Sequence, residues 1–166
     1  MRSRPIITVV MSATLVATGL LTGLPHPAPL AAQTVRETPY WASIAQPVAR
    51  MRKGPSTRVP AIWDYRREDL PVKVLEIYQS WRKVQDPDGT VGWMAVRLLS
   101  AQRTGYVTGG IRAMHAEPDA SSPIAWRAEP GVVGRLSDCA RGWCYFDVKG
   151  RRGYIRSDHV WGGGEP

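Results

Sequence analysis

The sequence contains few of the residues from which catalytic and metal sites are usually built. Among its 166 residues are three histidines, two cysteines and fourteen carboxylates, most of the latter in predicted turns. No cluster has metal-ligand spacing, and no glycine-rich segment leads into a helix that could bind phosphates. No pair of carboxylates has an evident cleft for acid and base work. We therefore expect no enzyme activity, no catalytic residue, no cofactor and no metal.

One segment does contain the residue types of a hydrolase triad. Ser157, Asp158 and His159 follow one another directly. Adjacent side chains on an extended chain point to opposite faces, so these three cannot form a relay. A cysteine–histidine pair would need an unbridged cysteine beside His115 or His159. Both histidines are predicted to be structural or exposed.

Long hydrophobic runs are also scarce, and the one that occurs is N-terminal. Nineteen uncharged residues from Ile6 to Leu24 follow Arg2 and Arg4, and prolines and the pair Ala31-Ala32 come next. This order predicts a signal peptide over residues 1–32 and export to the periplasm or the medium. An uncleaved membrane anchor is the alternative. Thr, Ser and Gly dilute the run, which favours cleavage and no stable membrane span afterwards.

Cysteine usage is limited to Cys139 and Cys144, spaced C-x4-C. Two thiolates without a nearby histidine cannot complete the four ligands of zinc, and the spacing is not that of a C-x-x-C redox pair. In an exported protein a local disulfide is the favoured state. A four-residue connection would place the two cysteines opposite each other on a hairpin, so we predict a Cys139–Cys144 bridge.

Negative charge is the minority sign. The whole chain has a formal net charge of +8, and twenty basic residues face fourteen acidic ones once Arg2 and Arg4 are removed. Such an excess suits an anionic partner, whether a wall polymer, a lipid surface or nucleic acid. Because export separates the protein from nucleic acid, we expect no nucleic-acid partner.

The chain after the leader is an internal repeat. Residues 48–56 resemble residues 111–119 at an offset of 63, and the offset falls to 61 towards the C-terminus, as two single-residue loop deletions would produce. The further matched pairs are Pro60/Pro123, Trp63/Trp126, Val74/Leu136, Trp81/Trp143, Val84/Phe146, Gly92/Gly153 and Leu99/Val160. Each copy has about 50–60 residues, near the lower size at which one core folds unaided.

Short apolar runs between turn residues make up both copies, a pattern typical of a small barrel or sandwich. In the first copy they predict strands over residues 71–78, 81–85 and 90–94. Between the last two, Pro87 presets a turn dihedral and Gly89 supplies a positive φ, which together predict a hairpin. No segment beyond the leader has helical periodicity over ten or more residues. The fold class is therefore all-β.

These segments resemble the bacterial SH3-like (SH3b) domain, in the subgroup found as paired domains in exported proteins. In the first copy the resemblance is carried by residues 48–56, Trp63, 70–74, 81–84, 86–89, 92–93 and 98–100, and in the second by Cys139 to Cys144, Gly153-Tyr154 and 160–162. It implies two tandem, partly open SH3-like barrels of five or six strands after the signal peptide. The expected divisions are a linker at 33–43, domains at 44–103 and 104–162, and a tail at 163–166.

Aromatic residues are too numerous for two small cores, and some of them adjoin arginines. Trp63 and Tyr65 lie beside Arg66 and Arg67. Aromatic faces stack on sugars or proline rings, and arginine binds carboxylates through two hydrogen bonds. We predict a ligand groove in the first copy from these four residues and Trp81; structural packing is the alternative.

The resemblance implies a binding or targeting role, because many relatives are attached to cell-wall hydrolases and contact peptidoglycan. The predicted function is a non-catalytic cell-envelope module that recognises peptidoglycan or an envelope protein. The alternative is a structural or accessory subunit of an envelope complex, and nucleic-acid binding through the basic surface ranks third.

Overall fold

The structure, a computed structural model, describes residues 36–166. The signal peptide predicted at 1–32 and the first part of the predicted linker lie outside the described residues. Within them the chain is all-β, with two single 3₁₀ turns as its only helical segments. None of the helical segments in this range is long and apolar enough to cross a membrane.

The first copy forms one curled antiparallel sheet, called barrel one here. Its seven strands lie in the order β3-β2-β6-β5-β4-β1-β7, and a 3₁₀ turn at Val96–Leu98 separates β6 from β7. Their bounds are β1 Tyr40–Ile44, β2 Ala49–Arg52, β3 Ala61–Tyr65, β4 Pro71–Tyr78, β5 Trp81–Gln85, β6 Val91–Ala95 and β7 Leu99–Ser100. Residues 40–43, which the sequence assigns to the linker, pair with β4 and so belong to the barrel.

The second copy, barrel two, repeats this architecture strand for strand. Its order is β10-β9-β13-β12-β11-β8-β14, with a 3₁₀ turn at Ser157–His159 before β14. The bounds are β8 Thr104–Val107, β9 Arg112–His115, β10 Ile124–Ala128, β11 Val133–Ala140, β12 Trp143–Val148, β13 Arg151–Arg156 and β14 Val160–Trp161. The identical order confirms the predicted fold of two tandem SH3-like barrels, although each has seven strands where the resemblance implied five or six.

Each barrel has a small apolar core built by alternation along its strands. In β4, Val72 and Val74 are fully buried, and in β12 Phe146 takes the same position as Val84 of β5. Full burial of such a side chain contributes roughly 1.5–3 kcal/mol. The total stabilisation from apolar burial in each core is therefore modest, as expected for a barrel of this size.

Repeated glycines allow strands to approach each other closely in both cores. A Cβ at Gly92 would lie 2.7 Å from Sδ of the buried Met51, and one at Gly153 would lie 2.8 Å from Cβ of the buried Met114. Neither site has room for a side chain. The matched glycines of the sequence repeat are thus required where β6 and β13 cross the core methionines.

A disulfide joins Cys139 of β11 to Cys144 of β12, as the sequence predicted. In barrel one the equivalent pair is Ile77 and Arg82, which face each other directly across β4 and β5. The bridge therefore replaces an ordinary cross-strand pair, and the same hairpin forms in barrel one without it.

The two barrels share an interface. The ring of Trp41 in β1 meets that of Trp161 in β14 edge-on, with centroids 4.6 Å apart. Tyr106 and Val133 of barrel two also pack against the core of barrel one. The second barrel therefore completes the packing of the first.

Candidate functional site

Four of the five residues predicted to bind ligand lie around one groove of barrel one, called the Trp63 groove here. It is a cavity of about 400 Å³ between the end of β3, the β5–β6 turn and one residue of β8. Trp63 is 61% exposed, so most of its ring is available to a ligand. The lining residues are Trp63, Tyr65, Arg66, Arg67, Leu70, Asp86, Pro87, Asp88, Thr90 and Tyr106.

Tyr65 is not exposed as the sequence suggests; it is buried, with 6% of its surface accessible. Its hydroxyl donates a hydrogen bond to Oδ2 of Asp86 at 2.7 Å. Oδ1 of Asp86 accepts from the backbone N–H groups of Asp88 and Thr90, at 3.1 and 2.7 Å. Burial, then the bond to Asp86, raise the pKa of Tyr65 well above its usual value. Tyr65 therefore fixes the β5–β6 turn as one wall of the groove.

The two arginines of the groove have different roles. Nη2 of Arg67 donates to the carbonyl oxygen of Gly131 at 2.6 Å, and its guanidinium lies 6.0 Å from the centre of the Tyr106 ring. Arg67 is thus engaged by barrel two. Arg66 is exposed and makes no hydrogen bond or ion pair with any residue from 36 to 166, so its guanidinium can meet an anionic ligand.

Trp81, the fifth predicted residue, lies elsewhere. It begins β5, whereas Asp86 directly follows the end of that strand. Five residues at about 3.3 Å each separate the two positions by roughly 16 Å. The structure therefore does not bring Trp81 together with Trp63.

A second cavity of about 490 Å³, called the Trp81 groove here, lies at that other end of β5. It is bordered by the β2–β3 loop, the β4–β5 turn and the 3₁₀ turn of barrel one. Its lining residues are Arg50, Arg52, Pro55, Ser56, Thr57, Ser80, Trp81, Ala95, Val96, Arg97 and Leu98. The sequence interpretation did not include its arginines, although the dense basic run from Arg50 to Lys53 was a usable signal.

Of the three adjacent residues of hydrolase-triad type, Asp158 is engaged in an ion pair. Ser157, Asp158 and His159 form a 3₁₀ turn and not the extended segment assumed from sequence. Oδ1 of Asp158 pairs with Nε of Arg156 at 3.3 Å, and burial, then the nearby Arg112, lower the pKa of His159. No group of three or more possible metal ligands occurs between residues 36 and 166.

The strand order, together with the two open grooves of barrel one, is that of a protein built from small all-β barrels in tandem. The sequence matches the bacterial SH3 domain family twice, over residues 45–101 and 109–162, and the chain belongs to this family. No curated protein matches the sequence.

Eight chains of solved structures resemble the protein, among them the following three, which have low identity. NlpC2 of Trichomonas vaginalis has a TM-score of 0.35 at 15% identity, over 76% of this chain and 49% of its own. NlpC1 of the same organism has a TM-score of 0.34 at 15% identity, over 79% and 48%. An NlpC/P60 family protein of Bacillus cereus has a TM-score of 0.34 at 12% identity, over 74% and 56%. The chain thus spans about half the length of these proteins.

Proposed function

We propose that the protein is a non-catalytic cell-envelope module that binds peptidoglycan through the Trp63 groove of barrel one. The observation that carries this proposal is the pairing of a largely exposed indole with an unengaged arginine in one groove. Bacterial SH3 domains commonly bind the cell wall, which supports the ligand class. An extracytoplasmic location is supported by the Cys139–Cys144 disulfide, since such bonds persist in oxidising compartments.

The chemistry of the groove suits a polymer of sugars and short peptides. The flat face of Trp63 can stack on the apolar face of a sugar ring, and the guanidinium of Arg66 can hold a peptide carboxylate through two hydrogen bonds. The hydrogen bond between Tyr65 and Asp86 fixes the opposite wall of the groove. The sugar ring and the peptide carboxylate of the wall polymer therefore each have a matching group.

Retention on purified sacculi tests the proposal. The protein should sediment with sacculi at low salt, and Trp63→Ala should weaken that binding by about tenfold or more, as for a central tryptophan of an interface. Arg66→Gln should weaken it less and remove part of its salt dependence. Tyr78→Ala is the matched control, because Tyr78 is an exposed aromatic residue that lines neither groove.

Two results would contradict the proposal. One is absence of the unaltered protein from the sacculus pellet at low salt; the other is equal retention of the Trp63→Ala variant. If the protein instead crosslinks in stoichiometric amounts to one envelope protein, the role of accessory subunit replaces wall binding.

A further inference from the structure

The Trp81 groove is basic, and part of its positive charge has no partner. Three arginines line it and no acidic residue does. Arg50 donates two hydrogen bonds of 2.7 Å to the carboxylate of Asp64, and Nη1 of Arg52 donates to the carbonyl oxygen of Val59 at 2.7 Å. Arg97 makes no hydrogen bond or ion pair with any residue in the described part of the chain. Its guanidinium is exposed at the edge of the groove.

Barrel two supplies an internal comparison, because strand register identifies the equivalent positions. Trp81 of barrel one faces Ala95 across β5 and β6. Trp143 of barrel two faces Arg156 across β12 and β13. The small residue of one barrel therefore corresponds to a long cationic residue in the other.

In barrel two, His115 and Arg156 pack around the ring of Trp143. The guanidinium of Arg156 lies 5.8 Å from the centre of the Trp143 ring, and the ring of His115 meets it edge-on at 5.3 Å. Trp143 is consequently only 8% exposed. Asp158 pairs with Arg156 and neutralises its charge.

Barrel one lacks this packing around its tryptophan, and the charge at the edge of its groove is positive where that of barrel two is negative. Ala95 stands in place of Arg156, and Arg97, the middle residue of its 3₁₀ turn, stands in place of Asp158. Barrel one also contains eleven basic residues against six acidic ones between residues 44 and 103, and barrel two eight against six between 104 and 162. The open groove is thus on the more positive barrel.

We propose that the Trp81 groove binds an extended acidic peptide segment of a partner protein. Carboxylates of the segment would pair with Arg97 and with the outer N–H groups of Arg52, and the indole of Trp81 would contact its apolar side chains. The hydroxyls of Ser56, Thr57 and Ser80 would meet its backbone. This site is separate from the Trp63 groove and does not depend on wall binding.

Fluorescence polarisation with a labelled octapeptide of sequence Glu-Ala-Glu-Pro-Glu-Ala-Glu-Pro tests the charge requirement. The purified protein should bind this peptide, and affinity for the counterpart with glutamine in place of glutamate should be at least about tenfold lower, as loss of one or more charge-assisted hydrogen bonds predicts. Equal affinity for the two peptides would overturn the proposal. So would equal displacement of the acidic peptide by unlabelled oligothymidylate, because negative charge alone would then suffice.

Two variants test the location. Ala95→Arg combined with Arg97→Asp places in barrel one the Arg156–Asp158 pair of barrel two, so this double variant should abolish peptide binding while near-ultraviolet circular dichroism stays unchanged. Arg97→Gln should weaken binding by about tenfold. Arg127→Gln, at an exposed arginine of barrel two, is the matched control and should bind as the parent does.

The Trp63→Ala variant separates this site from the one proposed for the wall. Peptide binding that persists in Trp63→Ala and disappears when Ala95→Arg is combined with Arg97→Asp supports the inference, whatever the sacculus experiment shows. Binding that disappears in Trp63→Ala, or that persists when Ala95→Arg is combined with Arg97→Asp, overturns it.

Discussion

Nε1 of Trp41 donates a hydrogen bond to the carbonyl oxygen of Gly164 at 2.8 Å. Trp41 belongs to the first strand of barrel one, and Gly164 follows the last strand of barrel two, so this bond joins the two ends of the tandem repeat. The guanidinium of Arg103 adds bonds to the carbonyl oxygens of Gly162, Gly163 and Gly164 at 3.1, 3.1 and 2.8 Å. The segment predicted to be a tail is therefore part of the contact between the barrels.

We expect Arg103→Gln to weaken this contact and to uncouple the barrels. Loss of charge-assisted bonds should lower the free energy of unfolding by about 2 kcal/mol. Calorimetry should show one transition for the parent and two for the variant, because each barrel has its own core. The exposed Arg127→Gln serves as control, and an unchanged single transition in Arg103→Gln would contradict the prediction.

Tyr65→Phe should destabilise barrel one. The substitution leaves Oδ2 of Asp86 without its donor in a buried position, which costs about 1–3 kcal/mol. Urea denaturation followed by tryptophan fluorescence measures the loss. The comparison is Tyr78→Phe, at a half-exposed ring, which should change stability by less than about 0.5 kcal/mol. Equal stability of the two variants would show that the Tyr65–Asp86 bond contributes nothing net.

Removal of the disulfide should loosen the β11–β12 hairpin without unfolding the barrel. Cys139→Ala combined with Cys144→Ala opens a short loop, for which chain entropy predicts a loss of about 2 kcal/mol. Amide exchange should increase around residues 137–144 and stay unchanged in barrel one, where Ile77 and Arg82 hold the same hairpin unbridged. Global loss of protection would mean that the bridge is required for folding. Mass spectrometry of the reduced and unreduced parent protein first establishes that the Cys139–Cys144 bond is present.

Acid should destabilise barrel two in part through Asp147. The backbone N–H of Gly150 and then Arg152 lower the pKa of Asp147 below its ordinary 3.8. A carboxylate whose pKa is lower in the folded than in the unfolded state stabilises the protein at pH values above its unfolded-state pKa. This stabilisation is lost as the pH falls from that value through the folded-state pKa. Thermal melts at pH 7 and pH 3 should therefore show a smaller acid-induced decrease in Asp147→Asn than in the parent. An identical decrease in both would contradict the assignment.

Asp138→Asn is the control for the pH experiment. The Asp138 carboxylate makes no hydrogen bond or ion pair with residues 36–166, and asparagine tolerates its left-handed backbone, φ 48°. This variant should keep the acid sensitivity of the parent.

Local features of the sequence are sufficient to predict the repeat, three strands of barrel one and the disulfide. Alternation of apolar residues, turn chemistry around Pro87 and Gly89, and the spacing of Cys139 and Cys144 all act over a few residues. Each is therefore visible in the order of amino acids along the chain. The internal repeat strengthens the prediction of an all-β fold because the patterns of both copies indicate the same fold.

Only the tertiary structure decides how the candidate ligand residues are grouped. Trp63, Tyr65 and Trp81 form one set in the sequence, yet Tyr65 is buried with its hydroxyl bonded to Asp86, and Trp81 lies at the far end of β5. Arg67 is engaged by Gly131, 64 residues away in sequence. Contacts of this kind depend on sheet register and barrel packing, which bring together residues that no local pattern links.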